Sequence, residues 1–156
     1  MDAIDRRILL ALQENADISI AQLADKAGLS QTPCWKRVQK LEEAGVIMRR
    51  VAILAPEKLG LGLTVFVQVQ AGDHSAAWLE NFASTVSAKS KVMELYRMAG
   101  DVDYMIRVVV SDMASYDQFY RWLIATIPLK NVTSRFAMER IKYTTQYPLP
   151  ADLAHI

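Results

Sequence analysis

Cysteine, histidine and glycine are scarce in this chain of 156 residues, which has one, two and six of them respectively. A single cysteine excludes an internal disulfide framework. With only His74 and His155 beside it, no dedicated metal site is expected. A charge excess is also lacking: the formal net charge is +1, so no diffuse attraction to a polyanion is built into the composition. No apolar run approaches the roughly 20 residues that a bilayer-spanning helix needs. The opening Met1-Asp2-Ala3-Ile4-Asp5-Arg6 has no basic segment ahead of a long apolar one. A cytoplasmic protein with no membrane partner, no metal and no cofactor is expected.

What is present is a local concentration of charge. Between Lys36 and Arg50, the bases Lys36, Arg37, Lys40, Arg49 and Arg50 meet only Glu42 and Glu43. A basic stripe on a nearly neutral chain fits local docking to a nucleic acid better than diffuse attraction.

The stripe sits in a helical context. Ile4, Ile8, Leu9 and Leu12 recur at helical spacing across residues 2–13. Ser19 with Gln22 reads as a capping box opening a second helix, and Gly28 as its stop. Ser30 or Thr32 is placed to cap a third helix, with Pro33 in its first turn. Two short helices joined by a glycine turn match the helix-turn-helix pattern.

At 100° per residue, Cys34, Val38 and Leu41 share one side of the third helix, opposite Thr32, Lys36, Gln39 and Glu43. Cys34 therefore packs inward, although nearby cations at a helix start leave a redox role open. Trp35 falls on the flank as a half-buried spacer against the first helix. In this motif, residues near the start of the second helix reach base edges. Gln31, Thr32, Lys36 and Gln39 are accordingly assigned to base edges of double-stranded DNA, and Arg37, Lys40, Arg49 and Arg50 to phosphates. Residues 46–54 are β-branched and read as a strand that places Arg49 and Arg50 like a wing, ended by Pro56.

Past a linker at 57–60 the periodicity changes. Residues 61–71 alternate, with Val65, Val67 and Val69 on one face and Phe66, Gln68 and Gln70 on the other. Trp78, Leu79, Phe82 and Val86 trace a helix, and 92–99 and 104–110 read as strands joined at Gly100-Asp101-Val102-Asp103. Met113 to Ile127 forms a second amphipathic helix, and a last strand spans about 132–143. This order is the ferredoxin-like βαββαβ arrangement. The fold class is therefore α+β. A helix-turn-helix domain (1–56, winged) and a linker (57–60) precede a ferredoxin-like domain (61–147) and a tail (148–156) expected to be loose or an oligomer contact. Helices cover one sheet face, and the face bearing Phe66, Gln68 and Gln70 is left for a second copy, so a homodimer is expected.

The chain from Ile4 to about Pro148 resembles the Lrp/AsnC ("feast/famine") transcriptional regulators. The stretches that carry the likeness are "IDRRILLALQENADISIAQLADKAGLSQTPCWKRVQKLEEAGVI", "ILAPEKLGLG", "MAGDVDYMIRVVVSDMASYDQFY" and "VTSRFAMERIKY". The resemblance implies a DNA-binding domain, an amino-acid-sensing domain, and dimers assembled into octamers. It implies that a small amino acid binds between C-terminal domains of neighbouring dimers, beside Gly100, Asp101, Asp103 and Tyr104. The matching positions elsewhere are Met113, Ser134, Phe136, Ala137 and Met138. Free amides of the glycine turn suit a carboxylate and Asp101 or Asp103 an ammonium group, unless these aspartates only build a tight hairpin. "TPCWKR" and "RMAGDVDY" look closest to the cysteine-responsive branch. The function expected is a sequence-specific DNA-binding regulator responding to an amino acid, not an enzyme. The alternatives are an enzyme of the siroheme decarboxylase type, which resembles the same architecture, and a sensing oligomer that does not bind DNA.

Overall fold

Asp2 starts the first helix. The computed structural model describes residues 1–151, and in it Asp2 Oδ1 accepts from the amides of Ile4 (2.8 Å) and Asp5 (2.9 Å) at the start of α1 (Ala3–Glu14). Asp5 completes the reciprocal cap by accepting from the Asp2 amide at 3.0 Å. α2 (Ile20–Ala27) opens on the expected Ser19–Gln22 pair and ends at Gly28, whose φ of +72° lies in the left-handed region that favours glycine. Arg7 of α1 donates to the Ala27 carbonyl at 2.8 Å, satisfying an acceptor that the end of α2 leaves without a helical partner. α3 (Gln31–Glu43) has Ser30 at its cap position and Pro33 in its first turn.

These three helices close on Ile8, Leu9, Ala11, Leu23, Ala24, Ala27, Cys34, Val38 and Leu41, all buried. The small residues of α2 permit its close approach to its neighbours. This unit spans Met1–Ile53 and also takes in the chain from Lys142 onward.

The second unit, Leu54–Ile141, opens with a short 3-10 turn at Pro56–Leu59. It continues as β1 (Leu63–Ala71), α4 (Ala76–Ser87), β2 (Val92–Arg97), β3 (Tyr104–Val110), α5 (Met113–Thr126) and β4 (Leu129–Phe136). The sheet order is β2-β3-β1-β4, and every neighbouring pair is antiparallel. Val65, Val67 and Val69 are fully buried with Phe82, Val86, Ile106, Val108 and Leu123. The alternate residues face away from this core: Phe66 lies between Arg107 of β3 and Arg135 of β4, and Gln68 between Met105 and Thr133. Glu94 on β2 aligns with Arg107 and accepts its Nη2 at 2.8 Å.

Two strand expectations change. Residues 48–55 form no ladder among the described residues, because a strand needs a partner edge and nothing in the first unit supplies one. β4 runs from Leu129 to Phe136 rather than across about 132–143. The Ala137 amide still donates to the Thr64 carbonyl at 3.0 Å, but β1 begins at Leu63 and offers no more edge. Nor is the chain after the sheet simply loose. Within the first unit, the Tyr147 amide donates to Gln13 Oε1 at 2.6 Å and Leu149 packs on the helical core. Of the tail, residues 152–156, including His155, lie outside the described residues.

Candidate nucleic-acid interface and effector site

Burial of one side of α3 decides what its other side presents. Cys34 is completely buried, and its thiol is pushed up by that burial, so it packs the core and is held away from the thiolate form. Gln31, Thr32, Lys36 and Lys40 are exposed on α3, and Arg49 beyond it. Their side chains have no hydrogen-bond or ion-pair partner among the described residues. A helix presenting unpaired amide, hydroxyl and ammonium groups has the donors that base edges and phosphates accept.

The remaining nominees are engaged elsewhere. Arg37, expected at phosphate, is instead a strut. Its Nη1 donates to Asp2 at 2.8 Å and Asp5 at 2.7 Å, pinning α3 to the start of α1. The Asp2 carboxyl lies below its ordinary value, chiefly because it accepts the Asp5 amide, with Arg37 adding to the effect. Arg50 Nη2 donates to Glu42 at 2.9 Å, and Gln39, half-buried, donates to the same carboxylate at 3.4 Å. Trp35 is half-exposed at the rim of a cleft that includes Leu12 of α1 and Ile18 and Ile20 at the start of α2.

In the second unit the expected effector residues separate into two groups. Tyr104 is buried, its ring 4.5 Å from Phe82 and 6.2 Å from Trp78 between centroids, so it belongs to the core rather than to a ligand surface. Asp103 Oδ2 accepts the Ala71 amide at 2.8 Å, fixing the hairpin against the end of β1. His74 Nδ1 stands 3.9 Å from the same carboxylate. Gly100 turns the chain at φ +126°, the Asp101 carbonyl accepts Gln70 Nε2 at 2.7 Å, and the exposed Asp101 carboxylate has no hydrogen-bond or ion-pair partner among the described residues.

Met113, Ser134 and Phe136 come together around an open groove of about 320 Å³, with Tyr116, Asp117, Tyr120 and Val132 completing its lining. Tyr116 and Ser134 join their hydroxyls there, and burial raises the Tyr116 phenol above its usual range. Ala137 lies past the groove, at the strand end. The sequence reading missed Tyr116, Asp117 and Tyr120. Their spacing with Met113 puts them on one face of α5, which is a detectable signal, but the same spacing also describes a core stripe.

Strand register fixes the distance between the groups. Tyr104 is level with Val69, while Phe136 is level with Val65 and Val110, the residue that leads towards Met113, is level with Leu63. The groove runs along β4 from Phe136 through Ser134 to Val132, and Val132 is level with Val69 and so with Tyr104, while Met113 follows the β3 end that is level with Leu63.

Comparison with known proteins gives two matches along the chain. A winged helix-turn-helix DNA-binding family matches residues 1–48, and the Lrp/AsnC ligand binding domain matches residues 64–147. The DNA-binding transcriptional activator DecR of Escherichia coli is 47% identical over 150 residues, covering 96% of this chain and 99% of its own. The crystal structure of an AsnC family transcriptional regulator from Agrobacterium tumefaciens superposes with a TM-score of 0.91 at 55% identity, covering 95% of this chain and 97% of its own. A transcriptional regulator from Neisseria meningitidis, solved in complex with L-methionine, gives 0.88 at 30%, covering 95% and 96%.

Proposed function

The chain belongs to the Lrp/AsnC family of transcriptional regulators, and we propose that α3 reads DNA through Gln31, Thr32 and Lys36, with Lys40 and Arg49 on the phosphates. The observation that carries this reading is the unpaired outward row on α3, held rigid by Cys34, Val38 and Leu41 behind it and by Arg37 at its side. Gln39 and Arg50 support the row through Glu42 and reach DNA only by giving up those bonds.

The effector is a small amino acid, as the methionine-bound relative supports. No residue of the glycine loop lines the Met113–Ser134–Phe136 groove, and in this reading a ligand held between the groove of one copy and the loop of another joins two copies of the sensing unit. The open sheet face accounts for the dimer. Glu94 and Arg135 lie on opposite edge strands, and a twofold face-to-face contact whose axis runs along the strands brings the acid of one copy near the base of the other. Dimers linked through ligand-bearing ends build a larger ring, the octamer of this reading. A cytoplasmic location follows from DNA as partner, and no described helix is long and apolar enough to cross a membrane.

The test is fluorescence anisotropy with duplexes selected from a random pool by the protein itself. Selection of a shared motif and a steep loss of affinity with salt are expected, since cationic contacts release counterions. Failure to enrich any sequence contradicts the reading.

A further inference from the structure

The chain joins the two units twice, and the second connection ends on α1. After β4, residues 137–141 complete the sensing unit, and from Lys142 the chain belongs to the helical unit. Two side chains of α1, Arg6 and Gln13, hold it there. They are seven positions apart and so lie on one face of the helix. Gln13 clasps the main chain of one residue from both sides: Oε1 accepts the Tyr147 amide at 2.6 Å, and Nε2 donates to the Tyr147 carbonyl at 3.3 Å. Gln146 Nε2 donates back to the Gln13 carbonyl at 3.4 Å. Arg6 donates to the carbonyls of Leu149 (3.3 Å) and Pro150 (2.9 Å).

The partners match chemically. Pro148 and Pro150 have no amide to offer, so the segment presents carbonyl acceptors, and a guanidinium supplies only donors. Both prolines also fix their own backbone torsion and so reduce the freedom lost on docking. Leu149 between them packs on the same core that holds Cys34.

We propose that the segment from Gln146 to Pro150 is a tether through which the sensing unit acts on the reading helix, with Gln13 and Arg6 as its receptor. The proposal rests on the effector-responsive reading above. The path is continuous. Ser134 and Phe136 of the groove lie on β4, β4 feeds the tether, and the tether grips α1. From the start of α1, Asp2 and Asp5 hold Arg37 of α3. In this scheme a movement at β4 passes along the covalent chain to Gln146 and from there through hydrogen-bonded groups to the reading helix. Arg6 and Gln13 act as positioning residues and touch no DNA in this scheme.

The test compares wild type, the double variant Arg6→Ala/Gln13→Ala, and a chain with a short glycine insertion after Ile141, which lengthens the connection and leaves the residues of the tether and of α1 unchanged. DNA affinity is measured by anisotropy with each common L-amino acid, L-methionine first, as probe, and amino-acid affinity by calorimetry. An effector that shifts wild-type DNA affinity by about fivefold or more is expected. In both altered chains that shift collapses towards none, while amino-acid affinity stays at the wild-type value. A wild-type shift preserved in both altered chains overturns the tether alone. A wild type whose DNA affinity no amino acid alters overturns the underlying effector reading, and the tether with it.

Discussion

Arg37 and Lys36 are sequence neighbours with opposite fates, because the rotation of about 100° between successive residues of α3 aims the first at α1 and the second at solvent. Arg37→Ala is expected to lower the thermal stability of the helical unit, and its effect should depend on pH. The Asp2 carboxyl is held below its ordinary value near 3.8 in the folded chain. Its contribution is therefore fully present above that value and is lost as pH falls through the depressed folded pKa. The gap in melting temperature between wild type and Arg37→Ala should narrow on acidification through this range. Asp73, Asp112 and Glu94, also shifted down, titrate in both chains and drop out of the difference. A gap that widens in acid contradicts the strut assignment. Cys34→Ser should cost about 1–3 kcal/mol in denaturant titration, because it places a hydroxyl in an apolar site. The native thiol should react slowly with a soluble disulfide reagent, and prompt labelling of the folded chain would contradict its place in the core.

At the scale of elements, most of this fold was legible because each signal is local. Ser19 with Gln22, Gly28, and the alternation from Val65 to Val69 each act within a few residues, and each stands where the sequence placed it. What failed was non-local. The β-branched run at 46–54 has strand composition but no edge to pair with, and β4 stops where β1 stops. The candidate site shows the same division. Helical spacing separated Lys36 from Cys34, but nothing in the sequence paired Arg37 with two aspartates more than thirty residues away. Tyr104 was assigned to a ligand through its neighbouring loop, whereas strand alternation turns it inward onto Phe82. Phe82→Ala should accordingly lose about 3–5 kcal/mol of stability, a value typical of emptying an aromatic core position. Chemical denaturation checks it, and a loss below about 1 kcal/mol would place the centre of the core elsewhere.

For the whole molecule, the proposal of more than one copy rests on the open sheet face. Arg135→Glu puts an acid where the proposed twofold contact brings Glu94 of another copy. It should shift the protein towards monomer in sedimentation velocity at micromolar concentration, while the helical unit keeps its fold. An unchanged sedimentation coefficient would remove this face as the dimer contact. Recognition of DNA turns on the outward side of α3. The direct measurement is the affinity of wild type and of Gln31→Ala/Lys36→Ala for a selected duplex and for an unrelated one of equal length. A loss of roughly 1–3 kcal/mol per base contact on the selected duplex is predicted, with a much smaller change on the unrelated one. Equal affinity and undiminished selectivity in the double variant would show that DNA is read by some other surface.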